Sequence, residues 1–227
     1  MMRTKLVLLG TAMAVALSST AAVASVVVVR SLGPSSKAYP PGKTLPESAK
    51  ITLQGGDVVT VLSPNAAQTL RGPGNFTAGQ VNLASAAAKR GRFGALRTGE
   101  VAKNPSIWDL DVTQSGKMCV TQASKLKLWR PDTDSEAKIS IRSADGKSEE
   151  VSWASGKAVA AWPTALPVSA SAEYQIEWAG TGDKSKVTFV TVPNAPSDLV
   201  GAAQLLIENG CENQLDLLVE SASKTAK

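Results

Sequence analysis

The chain of 227 residues has no histidine, two cysteines, and only two tyrosines and three phenylalanines beside its five tryptophans. Without histidine it lacks the commonest general base near neutral pH and the commonest metal ligand. Ser-His-Asp and Cys-His hydrolysis and His-ligated zinc are therefore excluded. Two cysteines cannot supply a four-thiolate zinc site. No glycine-rich phosphate loop or dinucleotide fingerprint occurs, so neither a metal nor a cofactor is expected. What is present, 43% hydrophobic and 19% charged residues, is the composition of a folded globular protein.

Residues 1 to 24 carry Arg3 and Lys5, an apolar run from Leu6 to Leu17, the polar stretch Ser18-Ser19-Thr20 and the small-x-small triplet Ala22-Val23-Ala24. That order is the n-region, h-region and cleavage site of a secretory signal peptide, with the mature chain starting near Ser25. Retention as an anchor is the competing reading, because no charge falls between Leu6 and Arg30 and such a stretch can cross a bilayer. No cysteine lies near the cleavage site, so a lipoprotein anchor is not available. A periplasmic or secreted protein with no span after cleavage is expected.

Charge is uneven along the remainder. Residues 25 to 105 hold ten basic residues against Glu47, Asp57 and Glu100, whereas 106 to 227 hold twelve against sixteen acids, which suggests two modules with different surfaces. The first, 25 to 82, reads as short strands between turns. Val26 to Arg30 is β-branched, Ile51-Thr52-Leu53 alternates, Gly55-Gly56 turns, Asp57 to Leu62 extends, and Gly72-Pro73-Gly74-Asn75 turns again. Pro34, Pro40, Pro41 and Pro46 make 33 to 46 a surface loop.

The string Gly56-Asp57-Val58-Val59-Thr60-Val61, followed by Thr69-Leu70-Arg71-Gly72-Pro73-Gly74-Asn75-Phe76, resembles the periplasmic β domain of FecR-like proteins, in which a Gly-Asp strand start precedes a glycine turn. The resemblance covers about 55 residues and implies a small β module at the envelope, with a sensor role as one functional expectation. Only a few residues precede the apolar run, so a counterpart to the cytoplasmic segment of such sensors is not expected.

Residues 83 to 105 read as a basic linker or helix, with Lys89, Arg90, Arg92 and Arg97 around Phe93. A solvated face explains such a cluster; contact with an anionic envelope component is the functional alternative, and nucleic acid is not an expected partner outside the cytoplasm. The second module, 106 to 193, alternates at 125–128, 139–142 and 174–178 with turn signals between, the pattern of an antiparallel β-sandwich. From 194 to 227 the period becomes helical, with Ser197 as N-cap and Gly210 as the helix-ending glycine. A helical hairpin packed on the sandwich is predicted.

Within this mainly β fold few residues carry chemistry. Asp109 and Asp111 share one face of a strand and could work as an acid–base pair; the bland reading is the wet face of a strand whose Trp108, Leu110 and Val112 point inward. Asp132 to Glu136 begins like a calcium loop and fails at Ala137 and Ser143, leaving a turn. Ser221-Ala222-Ser223-Lys224 matches the Ser-x-x-Lys pattern but lies at an end of the chain, where a catalytic role is not expected. Trp153 and Trp178 read as core, whereas Trp129 falls on the face of Lys125 and Lys127, either as an exposed contact or under the C-terminal helices. Cys119 and Cys211, an even pair in an exported chain, are expected to form a disulfide tying the hairpin to the sheet. The sum is an exported, non-enzymatic protein acting by binding or assembly on an envelope partner. The alternative is an envelope hydrolase or transferase using Asp109 and Asp111.

Overall fold

The computed structural model describes residues 25–80, 103–192 and 194–225. The signal-like segment and the basic cluster Lys89, Arg90, Arg92 and Arg97 lie outside the described residues. The chain is mainly β, with two helices at its C-terminal end.

Strand β1 (Ser25–Leu32) explains the opening valine run. Val26 and Val28 point to one side and Val27 and Val29 to the other, and all four are buried. An apolar strand without polar alternation is what burial on both faces requires. It pairs antiparallel with β2 (Thr44–Pro46) and β4 (Val58–Leu62), and β5 (Ala67–Arg71) completes a four-stranded sheet in the order β2-β1-β4-β5. The proline-rich stretch thus contains a strand as well as loop, and Pro46 is tolerated because β2 is an edge. The two-stranded antiparallel sheet of β3 (Lys50–Leu53) and β6 (Gly74–Thr77) closes the first core over Val26, Val28, Ile51, Val59 and Leu70.

The Gly-Asp strand start has a structural cause. Asp57 is buried and its carboxylate accepts hydrogen bonds from the Ser35 N–H at 2.9 Å and the Gln54 N–H at 2.6 Å. It thereby pins the 33–37 loop to the β3–β4 turn. Burial alone would push its pKa up, but the hydrogen bonds from Ser35 and Gln54 outweigh it and hold the carboxyl below the ordinary value. Gly33, at φ +102°, is the neighbour that makes room, since a Cβ there would lie 2.5 Å from an Asp57 carboxylate oxygen.

The second module is a two-sheet sandwich. One sheet runs β11-β10-β13-β14-β8 and the other β12-β9-β7, where β7 is Asp109–Asp111, β8 Gly116–Val120, β9 Lys127–Trp129, β10 Ala137–Ser143, β11 Ser148–Trp153, β12 Val159–Ala161, β13 Glu173–Trp178 and β14 Lys184–Thr191. Pairing is antiparallel except at two edges, where β8 lies parallel to β14 and β7 parallel to β9. Leu110, Leu128, Ile139, Ile141 and Ile176 fill the interior with the aromatic group Trp162, Tyr174 and Phe189, whose ring centroids lie 5.1 to 5.3 Å apart. Trp153 is core and Trp178 packs half-buried against it, whereas Trp108 packs elsewhere, among the helix contacts.

Arg130 is a cation in the sandwich with 2% exposure and no ion-pair partner among the described residues. Three backbone carbonyls receive its guanidinium instead: Lys157 at 2.9 Å, Ser135 at 2.7 Å and Ala154 at 3.1 Å. Its fixed fork thus ties two loops together over the face of Trp153.

Helix α1 (Leu199–Asn209) is capped by Asp198, whose side chain accepts from the Gly201 N–H at 2.8 Å, one residue later than the Ser197 expected from the sequence. Gly210 ends it in the left-handed conformation, and α2 (Glu212–Thr225) follows at once. The hairpin does not lie on the sandwich alone. Val200, Ala203, Leu206, Leu215 and Leu218 share one cluster with Val27, Val29, Leu62 and Ala67 of the first module and with Cys119 and Val192 of the second. The second face of the β1 sheet, invisible in a single strand's pattern, gives the hairpin a further landing surface beside the one expected on the sandwich. The disulfide between Cys119 and Cys211, with Cα atoms 5.9 Å apart, bolts the hairpin to β8. Closing a loop across 92 residues is worth about 4–5 kcal/mol in the chain-entropy model.

Candidate functional site

Where the edges of the two sandwich sheets meet α2, a groove of about 450 Å3 opens. Asp109 and Asp111 line it from β7, Gly116, Lys117 and Met118 from β8, and Trp129 from β9. The facing wall is the row Asn213, Leu217 and Glu220 of α2, with Gln214 and Asp216 beside it. Residues three and four apart on a helix share a face, which is why these side chains arrive together.

Strand alternation places the pair. Leu110 and Leu128 enter the core, so Asp109, Asp111 and Trp129 take the opposite face, where Asp109 stands beside Lys127 and Asp111 beside Trp129 in the parallel register. Asp109 is partly buried: desolvation raises its pKa, and the charge of Lys127 only partly offsets this. Asp111 is occupied differently. One carboxylate oxygen accepts from the Thr113 N–H at 2.9 Å and the Thr113 hydroxyl at 2.6 Å, and the other from Gln114 Nε2 at 3.1 Å. It builds the β7–β8 turn.

Trp129 is 4% exposed and lines the groove rather than projecting into water. The Asp132 turn is a local one, closed by the Asp134 N–H on the Asp132 carboxylate at 2.9 Å. The Ser221 hydroxyl turns back onto the Leu218 carbonyl of its own helix at 2.7 Å.

The residue that shapes the site most is one that sequence reasoning missed. Gln214 is buried, accepts from the Cys119 N–H at 2.6 Å, and donates to the carbonyls of Cys119 at 3.1 Å and Ile107 at 2.8 Å. Asn213 donates to the Ser115 carbonyl at 3.0 Å. Together they cap the outer edge of β8, a role usually left to another strand. Position 214 follows Cys211 by three, so the bridge sets the helix phase that aims this amide; a polar residue one turn from a disulfide cysteine was the only signal available.

The rim bears both signs of charge. Lys103 pairs with Glu220 at 2.8 Å and Arg30 pairs with Asp216, while Lys117 and Asp109 are in no ion pair among the described residues. No group of three or more potential metal ligands occurs among the described residues. No family model, curated protein or solved structure matches the chain.

Proposed function

We propose that this is an exported, non-enzymatic envelope protein that acts by binding, and that the groove between β7, β8, β9 and α2 is its binding site. The observation that carries this reading is the unequal state of the two aspartates. Both line the groove, but Asp111 uses both oxygens on its own turn, so the acid–base pair reduces to Asp109. A hydrolase or transferase needs a second group to activate water or another nucleophile. A binding cleft needs only an apolar floor and a few convergent polar groups, and Trp129, Met118, Leu217, Lys117 and Asp109 supply them.

Mixed charge on the rim favours a protein partner over a polyanion, which would be focused by charge of one sign. Export rests on the signal pattern of residues 1 to 24 and on the disulfide, a bond that persists outside reducing compartments.

Affinity capture from the native envelope with the oxidised mature chain tests the reading. A defined partner is expected with the wild type and is lost with the double variant Asp109→Lys, Lys117→Glu, whose melting temperature stays within a few degrees of wild type. Equal capture by that variant, or turnover of an envelope substrate abolished by Asp109→Asn, would contradict it. Osmotic shock should release the protein with its N-terminus near Ser25 and no titratable thiol.

A further inference from the structure

A second concavity, of about 440 Å3, lies where the end of β1 meets the turn between α1 and α2. Its walls are apolar, built from Val29, Pro41, Leu206, Ile207 and Leu215. At its margin Leu32 is 69% exposed, the most exposed large apolar side chain among the described residues. A single exposed leucine needs no explanation, but one that borders an apolar recess forms a continuous patch with it. The neighbouring Ser31 hydroxyl is buried with no hydrogen-bond partner among the described residues.

Charge is arranged around the patch with both signs. Arg30 stands on the β1 side and pairs with Asp216, while Glu212, on the helix side, is exposed and has no partner among the described residues.

The geometry points to a second copy of this chain as the occupant. About a two-fold axis, Leu32 of each copy enters the recess of the other, and Arg30 of each faces Glu212 of the other. Self-complementarity is the reason to choose a second copy: one patch holds a projection and a recess, a cation and an anion, which is what an isologous contact requires. A foreign partner would need only one of each pair. The contact is small beside the roughly 800 Å2 per partner of a stable interface, so the dimer is a weak one, half formed at roughly 0.1 mM. This surface is separate from the binding groove, and its test does not depend on that reading.

Sedimentation equilibrium of the full oxidised mature chain, from roughly 10 µM to roughly 1 mM, decides the matter. The wild type should pass from monomer to dimer across that range. Leu32→Glu, at an exposed position, should keep the unfolding midpoint and remain monomeric throughout. Arg30→Glu and Glu212→Arg should each be monomeric alone and dimerise when mixed in equal amounts, because each copy then meets the opposite charge across the axis. The exposed Arg30–Asp216 pair lost in the first of these contributes little to folding. A wild type that is monomeric at the highest concentration, a Leu32→Glu variant that dimerises like it, or a mixture that stays monomeric would overturn the arrangement.

Discussion

The side-chain amide of Gln214 is bonded to both backbone polar groups of Cys119, accepting from its N–H at 2.6 Å and donating to its carbonyl at 3.1 Å. A helix residue thereby takes the place of the next strand on β8. The Cys119–Cys211 bridge fixes the same residue through its side chain, so covalent and hydrogen-bonded restraints converge at one point of the strand.

Removal of that amide leaves a buried N–H and two carbonyls without partners. Gln214→Ala is expected to cost about 2–4 kcal/mol, because each unsatisfied group costs roughly 1–3 kcal/mol and water recovers part of it. Gln214→Glu should be no better, since a carboxylate would face two carbonyl oxygens. Urea unfolding of the oxidised proteins measures both; wild-type stability in either would show that the edge of β8 does not need the amide.

Much of this fold was legible in the sequence, and the part that was not has a physical reason. The valine run, the alternating strands, the glycine turns and the helical period after 194 each report a local preference, and the structure contains the corresponding elements. The cysteine pair was legible because only one pairing exists. The landing place of the hairpin was not, since Val27 and Val29 become a surface for α1 and α2 only once Val26 and Val28 have been covered from the other side. At the groove, Asp109, Asp111 and Trp129 could be named from the strand pattern, whereas the helix wall depends on a rotation about α2 that no local pattern encodes. Parallel pairing of β7 and β8 with their neighbours is equally non-local.

Asp57 gives stability a pH dependence of one sign. Its carboxyl is held below the ordinary value in the folded protein, so its contribution is present above the unfolded pKa of about 3.9 and is lost as pH falls through the folded value. Wild type should lose melting temperature steeply below about pH 4. Asp57→Asn should start lower at neutral pH and lose less over the same range. Parallel melting curves for the two proteins would remove the carboxylate from the account of the 33–37 loop.

Asp109 should behave in the opposite sense. Its folded pKa is raised by burial, so the folded state is favoured below the unfolded pKa and loses that advantage as pH rises through the folded value. Asp109→Asn is therefore expected to melt higher than wild type at pH 7 and level with it at pH 3. A lower melting temperature at pH 7 would mean that the ionised form is stabilised by its surroundings.

Arg130 serves two loops with one planar group. Arg130→Lys should destabilise by about 2–4 kcal/mol, because an ammonium on a flexible stem cannot reach the carbonyls of Ser135, Ala154 and Lys157 together and a charge stays buried. Arg130→Met should cost less than the lysine variant, since it removes the charge as well. Thermal unfolding ranks them; a lysine variant equal to wild type would show that charge alone holds the loops.

Site-specific photo-crosslinking in the native envelope tests the binding groove most directly. A benzophenone side chain at Leu217, on the α2 wall of the groove, should crosslink to a discrete envelope protein, while the same group at Lys147, on the exposed β10–β11 turn, should not. The Leu217 adduct should disappear when Asp109→Lys and Lys117→Glu are added. An adduct of equal yield from Lys147, or one at Leu217 that survives the charge reversals, would contradict the assignment of this groove as the binding site.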